Sequence, residues 1–125
     1  MKAIDAVVFH PAGITVDGSG DPYPDAAPAL AELDALGVKV IPLATLSAAA
    51  LKAAVADASL SADRVICLTD SEQGVLAARE AGVQPVLMMN DPDEAMRLTA
   101  LGPAGGIVSL HELPDFVRLL LARQP

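Results

Sequence analysis

The residues best suited to chemistry are few. The chain has two imidazoles, His10 and His111, one thiol, Cys67, and, among its hydroxyls, Thr45, Ser47 and Ser71 ahead of helical stretches. An imidazole can act as nucleophile, general base or metal ligand. His10 stands directly after an apolar run, Ala3 to Phe9, and Asp70 stands just past the strand Arg64 to Leu68. His10 and Asp70 are each candidate catalytic groups; the bland counterpart is a neutral imidazole hydrogen-bonded inside an inert site. At the helix starts, Thr45, Ser47 and Ser71 can hold an anion with backbone N–H groups, or simply cap the helices. Cys67 lies inside an apolar run and reads as an inert core residue; a lone cysteine forms no internal disulfide and no thiolate cluster.

These residues need elements to position them. Ala3 to Phe9, Val38 to Leu43, Arg64 to Leu68, Gln84 to Met89 and Gly105 to Ser109 read as strands. Between them lie helical stretches: Asp25 to Leu36 stopped by Gly37, Ser47 to Asp57, and Ser71 to Ala81 followed by Gly82. Asp91-Pro92-Asp93-Glu94 joins an N-cap, a proline at the first helical position and an acid three residues after the cap, which starts a helix to about Leu101. Leu113, Phe116, Val117, Leu120 and Leu121 repeat at helical spacing and give a C-terminal amphipathic helix. This alternation predicts one α/β domain over residues 1–125, a parallel sheet between two helix layers. Val38 to Leu43 and Val86 to Met89 read as strands buried on both faces. Ligands of such sheets bind at the strands' carboxyl ends, where His10, Thr45, Ser47, Asp70 and Ser71 fall.

Composition excludes several classes. The 125 residues are 53% hydrophobic, which argues against disorder. A formal net charge of -8 opposes nucleic-acid binding, and 2% aromatic content opposes base stacking. No apolar run approaches the roughly 18 residues of a membrane span, and Met1 to Pro11 lacks the form of a signal peptide. The expectation is a cytoplasmic protein with no membrane and no nucleic-acid partner. Asp91, Asp93 and Glu94 suit a helix start rather than a metal. Met88, Met89 and Met96 read as core filler, and His111 as a surface residue. Gly102, Gly105 and Gly106 do not form a dinucleotide-binding pattern.

Three stretches and the tail carry a resemblance. Ala6-Val-Val-Phe-His-Pro-Ala-Gly-Ile-Thr-Val-Asp-Gly18 resembles the first motif of the haloacid dehalogenase-like (HAD) hydrolases, a strand ending in D-x-D-G-T-[LV]-x-D. Val38 to Ser47 resembles the second motif, a strand ending in Thr or Ser. Thr69-Asp-Ser-Glu-Gln-Gly-Val-Leu-Ala-Ala-Arg-Glu-Ala-Gly82 resembles the fourth, G-D-S-x-x-D-x-x-A-A-x-x-A-G, and Gly106 to Pro114 resembles the usual end of the fold. The resemblance implies a three-layer αβα sandwich with a Rossmann-like core. In the family the first-motif Asp attacks a phosphoryl or related electrophile, the second Asp is acid/base, and both help hold Mg²⁺ with fourth-motif carboxylates.

Here the two first-motif Asp positions are His10 and Ala12, the following Thr is Ile14, and the second fourth-motif carboxylate is Gly74, leaving Asp70. Only Ala58 to Arg64 separates the second helix from the third strand. The strand–helix unit that carries the family's third-motif Lys therefore reads as deleted. The short flap from Ile14 to Pro24 leaves no room for a cap domain. With that unit gone, five strands in the order 2-1-3-4-5 remain, the flavodoxin-like order, with an exposed sheet edge or helix face suited to pairing. Gly13 joins Thr45, Ser47 and Ser71 as ligand-binding positions. No metal site is expected, because one carboxylate and an imidazole suit Mg²⁺ poorly; Mg²⁺ enters only if the chain is active. Three readings stand: an inactive binding or interaction module with an unknown protein partner or self-association, a HAD-like hydrolase working through unconventional residues, and a small-ligand or phosphate-binding domain.

Overall fold

The computed structural model describes residues 4–11, 14–16, 19–24, 26–88, 96, 100, 105–107, 112–115 and 117. Within them, strands and helices alternate as the sequence predicts: β1 (Ala6–Phe9), α1 (Ala26–Ala35), β2 (Lys39–Pro42), α2 (Ala48–Asp57), β3 (Val65–Thr69), α3 (Glu72–Ala81), β4 (Gln84–Met88) and β5 (Gly105–Ile107). A short 3-10 turn, Ala62–Arg64, precedes β3 and has no counterpart in the sequence reading. The strands form one sheet in the order β2-β1-β3-β4-β5, every neighbouring pair parallel. The helix expected from Asp91 lies outside the described residues apart from Met96. Of the C-terminal helix, 113–115 and Val117 are helical.

Period-2 alternation in the inner strands builds both faces of the sheet. Val7 and Phe9 of β1, with Ile66 and Leu68 of β3, join Ala29 and Leu33 of α1 and Leu113 and Val117 in one cluster. Ala6 and Val8, with Val65 and Cys67, join Leu51 and Val55 of α2 and Ala77 and Ala78 of α3 in the other. The sheet is thus the middle of three layers. All five residues of β3 are buried, as an inner strand requires.

Two expectations fail, for identifiable reasons. Val38 to Leu43 is not a strand buried on both faces: Lys39 and Pro42 are exposed, because β2 is the edge of the sheet. Met96 is 78% exposed rather than core filler, while Met88 is buried; Met89 lies outside the described residues.

The edge is also poorly suited to pairing. The N–H groups of Lys39 and Leu43 bond to Asp5 and Phe9 on the β1 side. By alternation, Val40 and Pro42 turn theirs outward, and Pro42 has none to give. A short edge strand blunted by proline and an exposed lysine resists edge-to-edge association.

Helix ends follow local chemistry. Gly37 and Gly82 take the left-handed conformation (φ 78° each) that closes α1 and α3, which other residues adopt at a cost. Ser47 and Ser71 sit extended at the starts of α2 and α3, and their hydroxyls accept N–H bonds from Ala50 and Gly74 at 3.1 Å each. Among the described residues no helix is long and apolar enough to cross a membrane.

Candidate functional site

The order β2-β1-β3-β4-β5 reverses the chain's direction of travel at β1. A crevice opens where the loops after β1 and β3 diverge. A cavity of about 240 Å³ occupies it. The loop after β1 contributes His10 and Ile14, the loop after β2 contributes Thr45 and Leu46, and the end of β3 contributes Thr69, Asp70 and Ser71. Gln73 closes the rim from the first turn of α3. Four sequence candidates, His10, Thr45, Asp70 and Ser71, therefore line one cavity. Ser47 does not; it caps α2 and borders a shallower groove of about 520 Å³ beside Leu46, Glu72 and Leu76. Gly13, Ala12, Asp17 and His111 lie outside the described residues.

His10 is held by its backbone neighbour across the sheet. Its Nδ1 donates to the Leu43 carbonyl at 2.9 Å, while the Leu43 N–H donates to Phe9 O at 2.7 Å. A carbonyl can only accept, so Nδ1 carries the proton and Nε2 is the acceptor nitrogen of the neutral ring. Asp70 has a polar partner of its own within the protein. Gln73 Nε2 donates to Leu46 O at 3.2 Å, tying the start of α3 to the loop before α2.

Gly74, read from the sequence as a missing carboxylate, has a partner in Thr69. Thr69 is the buried polar residue of the described core, 1% exposed. Its Oγ1 accepts the Ser71 N–H at 3.2 Å and lies 3.2 Å from Ser71 Oγ. Its side chain fills the space in front of Gly74: a β-carbon built there would overlap Thr69 Oγ1 and lie 2.6 Å from Thr69 Cβ. The signal was available, since Thr69 stands where the resembled motif has Gly and Gly74 where it has Asp. Bulk has moved from one partner to the other.

Ser71 therefore has two tasks, capping α3 and meeting Thr69. Ser71→Ala should lower stability by about 1–2 kcal/mol, the upper part of the N-cap range, and more than Ser47→Ala does. Urea unfolding of the two variants measures it; equal losses would show that the Thr69 contact adds nothing.

Cys67 is buried with its thiol pKa pushed from 9.0 up to about 12 by desolvation. A thiol held neutral is neither nucleophile nor ligand, in agreement with a core role. Among the described residues no three His, Cys, Asp or Glu side chains gather as a metal centre.

A five-stranded parallel sheet in this order, with its cavity at the strand ends, defines a Rossmann-like α/β protein. Solved structures narrow the class. A conserved haloacid dehalogenase-like protein of unknown function from Agrobacterium tumefaciens is 26% identical over 60% of this chain, with a TM-score of 0.56; the match spans 36% of that protein's length. L-2-haloacid dehalogenase from Xanthobacter autotrophicus, solved with chloropropionic acid covalently bound, aligns over 92% of this chain and 98% of its own, with a TM-score of 0.71 at 14% identity. An uncharacterized protein from Listeria monocytogenes covers 95% of this chain and 99% of its own, with a TM-score of 0.74 at 10% identity. The fold of this chain is that of the HAD-like proteins. No protein-family model and no curated protein sequence matches it.

Proposed function

We propose that this chain is a HAD-like domain that no longer hydrolyses phosphate esters and works as a binding module through the cavity at its strand ends. The observation that carries this reading is the Thr69 side chain standing in the space that a second carboxylate at Gly74 would need. With Ala12 offering no oxygen and His10 offering nitrogen, Asp70 alone remains from the carboxylate set that the resemblance implies. Mg²⁺ prefers several oxygen ligands in near-octahedral array, so these residues do not fit it, and no step is routed through that ion. The reading takes the protein as cytoplasmic, a compartment that keeps a single thiol reduced.

A second reading has one observation in its favour. Nδ1–H donation to Leu43 leaves His10 Nε2 as the basic nitrogen of the ring, the arrangement a histidine nucleophile would use. One assay separates the two. The purified chain is incubated with p-nitrophenyl phosphate and with acetyl phosphate, with and without Mg²⁺. Release at the buffer rate, unchanged in His10→Ala, is expected. Turnover abolished by His10→Ala would replace the binding-module reading with the hydrolytic one.

A further inference from the structure

The loops at the strand ends carry charge of one sign. Among the described residues after β1, β2 and β3, those at 10–11, 14–16, 19–24, 43–47 and 70–71 include Asp21 and Asp70 but no Lys or Arg. Lys39 and Arg64 stand at the opposite end of the sheet, at or just before the starts of β2 and β3. A cleft lined by one sign of charge concentrates ligands of the other sign.

Hydrogen bonding inside the cavity points the same way. Nδ1–H of His10 is occupied by Leu43 O, so Nε2 of the neutral ring can only accept. One of the two side-chain amide N–H groups of Gln73 donates to Leu46 O, and a carbonyl partner fixes that assignment, so Oε1 is left to accept and the second N–H to donate. The Asp70 carboxylate already has a partner. An ionised carboxylate nonetheless has about four lone-pair sites and accepts more than one donor. Thr69 Oγ1 and Ser71 Oγ each accept a backbone N–H, and one of their two hydroxyl protons lies between them. Asp70, His10 Nε2 and Gln73 Oε1 bring acceptors to a volume of about 240 Å³, beside the second Gln73 amide N–H and one hydroxyl proton, room for a small molecule or one end of a longer one.

We propose that the cavity at the carboxyl ends of β1 and β3 binds a small organic cation bearing N–H donors, an alkylammonium or a guanidinium, held by the Asp70 carboxylate, His10 Nε2 and Gln73 Oε1. This deepens the binding-module reading and rests on it. Phosphate and carboxylate ligands are disfavoured, since no Lys or Arg lines the cavity among the described residues and Asp70 repels them. The site has exchanged the anion preference implied by the resemblance for a cation preference.

The test titrates chain labelled with ¹⁵N-histidine at pH 8 and fixed ionic strength. The probes are agmatine, which carries both an ammonium and a guanidinium, and inorganic phosphate. The His10 ring resonances should move saturably with agmatine and stay still with phosphate. Asp70→Asn should weaken the agmatine response about tenfold or more, the loss expected for a hydrogen bond to a charged group. Gln73→Lys, at an exposed position, should weaken it in the same direction if Asp70→Asn folds poorly. A saturable phosphate response, an agmatine response indifferent to both variants, or no agmatine response would each overturn the proposal. Phosphate-ester turnover on the same sample judges the binding-module reading separately. Agmatine binding with turnover would keep the ligand class and discard that reading; silence in both would do the reverse.

Discussion

Gly74→Asp should unfold a large part of this protein's stability margin rather than rebuild an active site. The β-carbon alone would stand 2.6 Å from Thr69 Cβ, and that atom is fixed to the backbone of an inner strand. Rotating the Thr69 hydroxyl away relieves the overlap with Oγ1 but not the one with Cβ, so β3 or α3 must shift. Overpacking of this kind costs about 1–3 kcal/mol and at times more. Domains rarely hold more than about 5–15 kcal/mol in reserve. A rigid obstruction puts Gly74→Asp at about 3 kcal/mol or above. Gly74→Ala carries the same obstruction, offset by roughly 1 kcal/mol of helix propensity, and should still be less stable than the parent. Adding Thr69→Gly should return part of the loss, because the two substitutions share one contact and their effects are not additive. Denaturant midpoints of the two single variants and the double variant decide the matter. Gly74→Ala as stable as the parent with Thr69 intact would refute the steric argument. The consequence for the site is that a carboxylate at position 74 cannot be accommodated until the residue in front of it changes.

Much of the framework was legible because local rules and tertiary packing agree. Ser47 and Ser71 were readable as caps from their types and positions, and both hydroxyls accept helix N–H groups. Gly37 and Gly82 marked helix ends because the left-handed turn favours them. The strand order came from the HAD resemblance rather than from periodicity, which says nothing about which strand neighbours which. Where the reading failed, the missing knowledge was three-dimensional. Val40 and Ile41 look apolar enough for an inner strand; only their place at the sheet edge leaves them half-exposed. His10 was legible as unusual, but its anchor is the backbone carbonyl of Leu43, thirty-three residues away, and a backbone acceptor leaves no mark in side-chain types. Thr69 and Gly74 were legible one at a time but not as a pair. Each departs quietly from the resembled motif, and only the Cβ geometry shows that the two departures are one exchange.

Alkaline pH should destabilise the chain through Cys67. Folding pushes this thiol from 9.0 up to about 12 by burying it between β1, α2 and α3. Below pH 9 both folded and unfolded chains hold the proton, and the contribution to stability is constant. Above pH 9 the unfolded chain releases it while the folded chain keeps it, so each further pH unit favours unfolding by up to about 1.4 kcal/mol. The accumulated loss approaches roughly 4 kcal/mol by pH 12 and then levels off. Tyrosine and lysine also titrate in this window, so the measurement is the difference between the parent and Cys67→Ala. At pH 8 the variant should be the less stable, having lost the packing of the sulfur. Between pH 9 and 12 the gap should close and reverse, because the variant has no thiol to ionise. Urea unfolding at half-unit pH steps follows that crossing, and a gap that stays constant to pH 12 would show that the thiol ionises as easily in the folded chain as in the unfolded one. The same burial explains why Cys67 should resist thiol reagents at pH 8 until denaturant is added. It also keeps the chain's one thiol out of any chemistry at the strand ends.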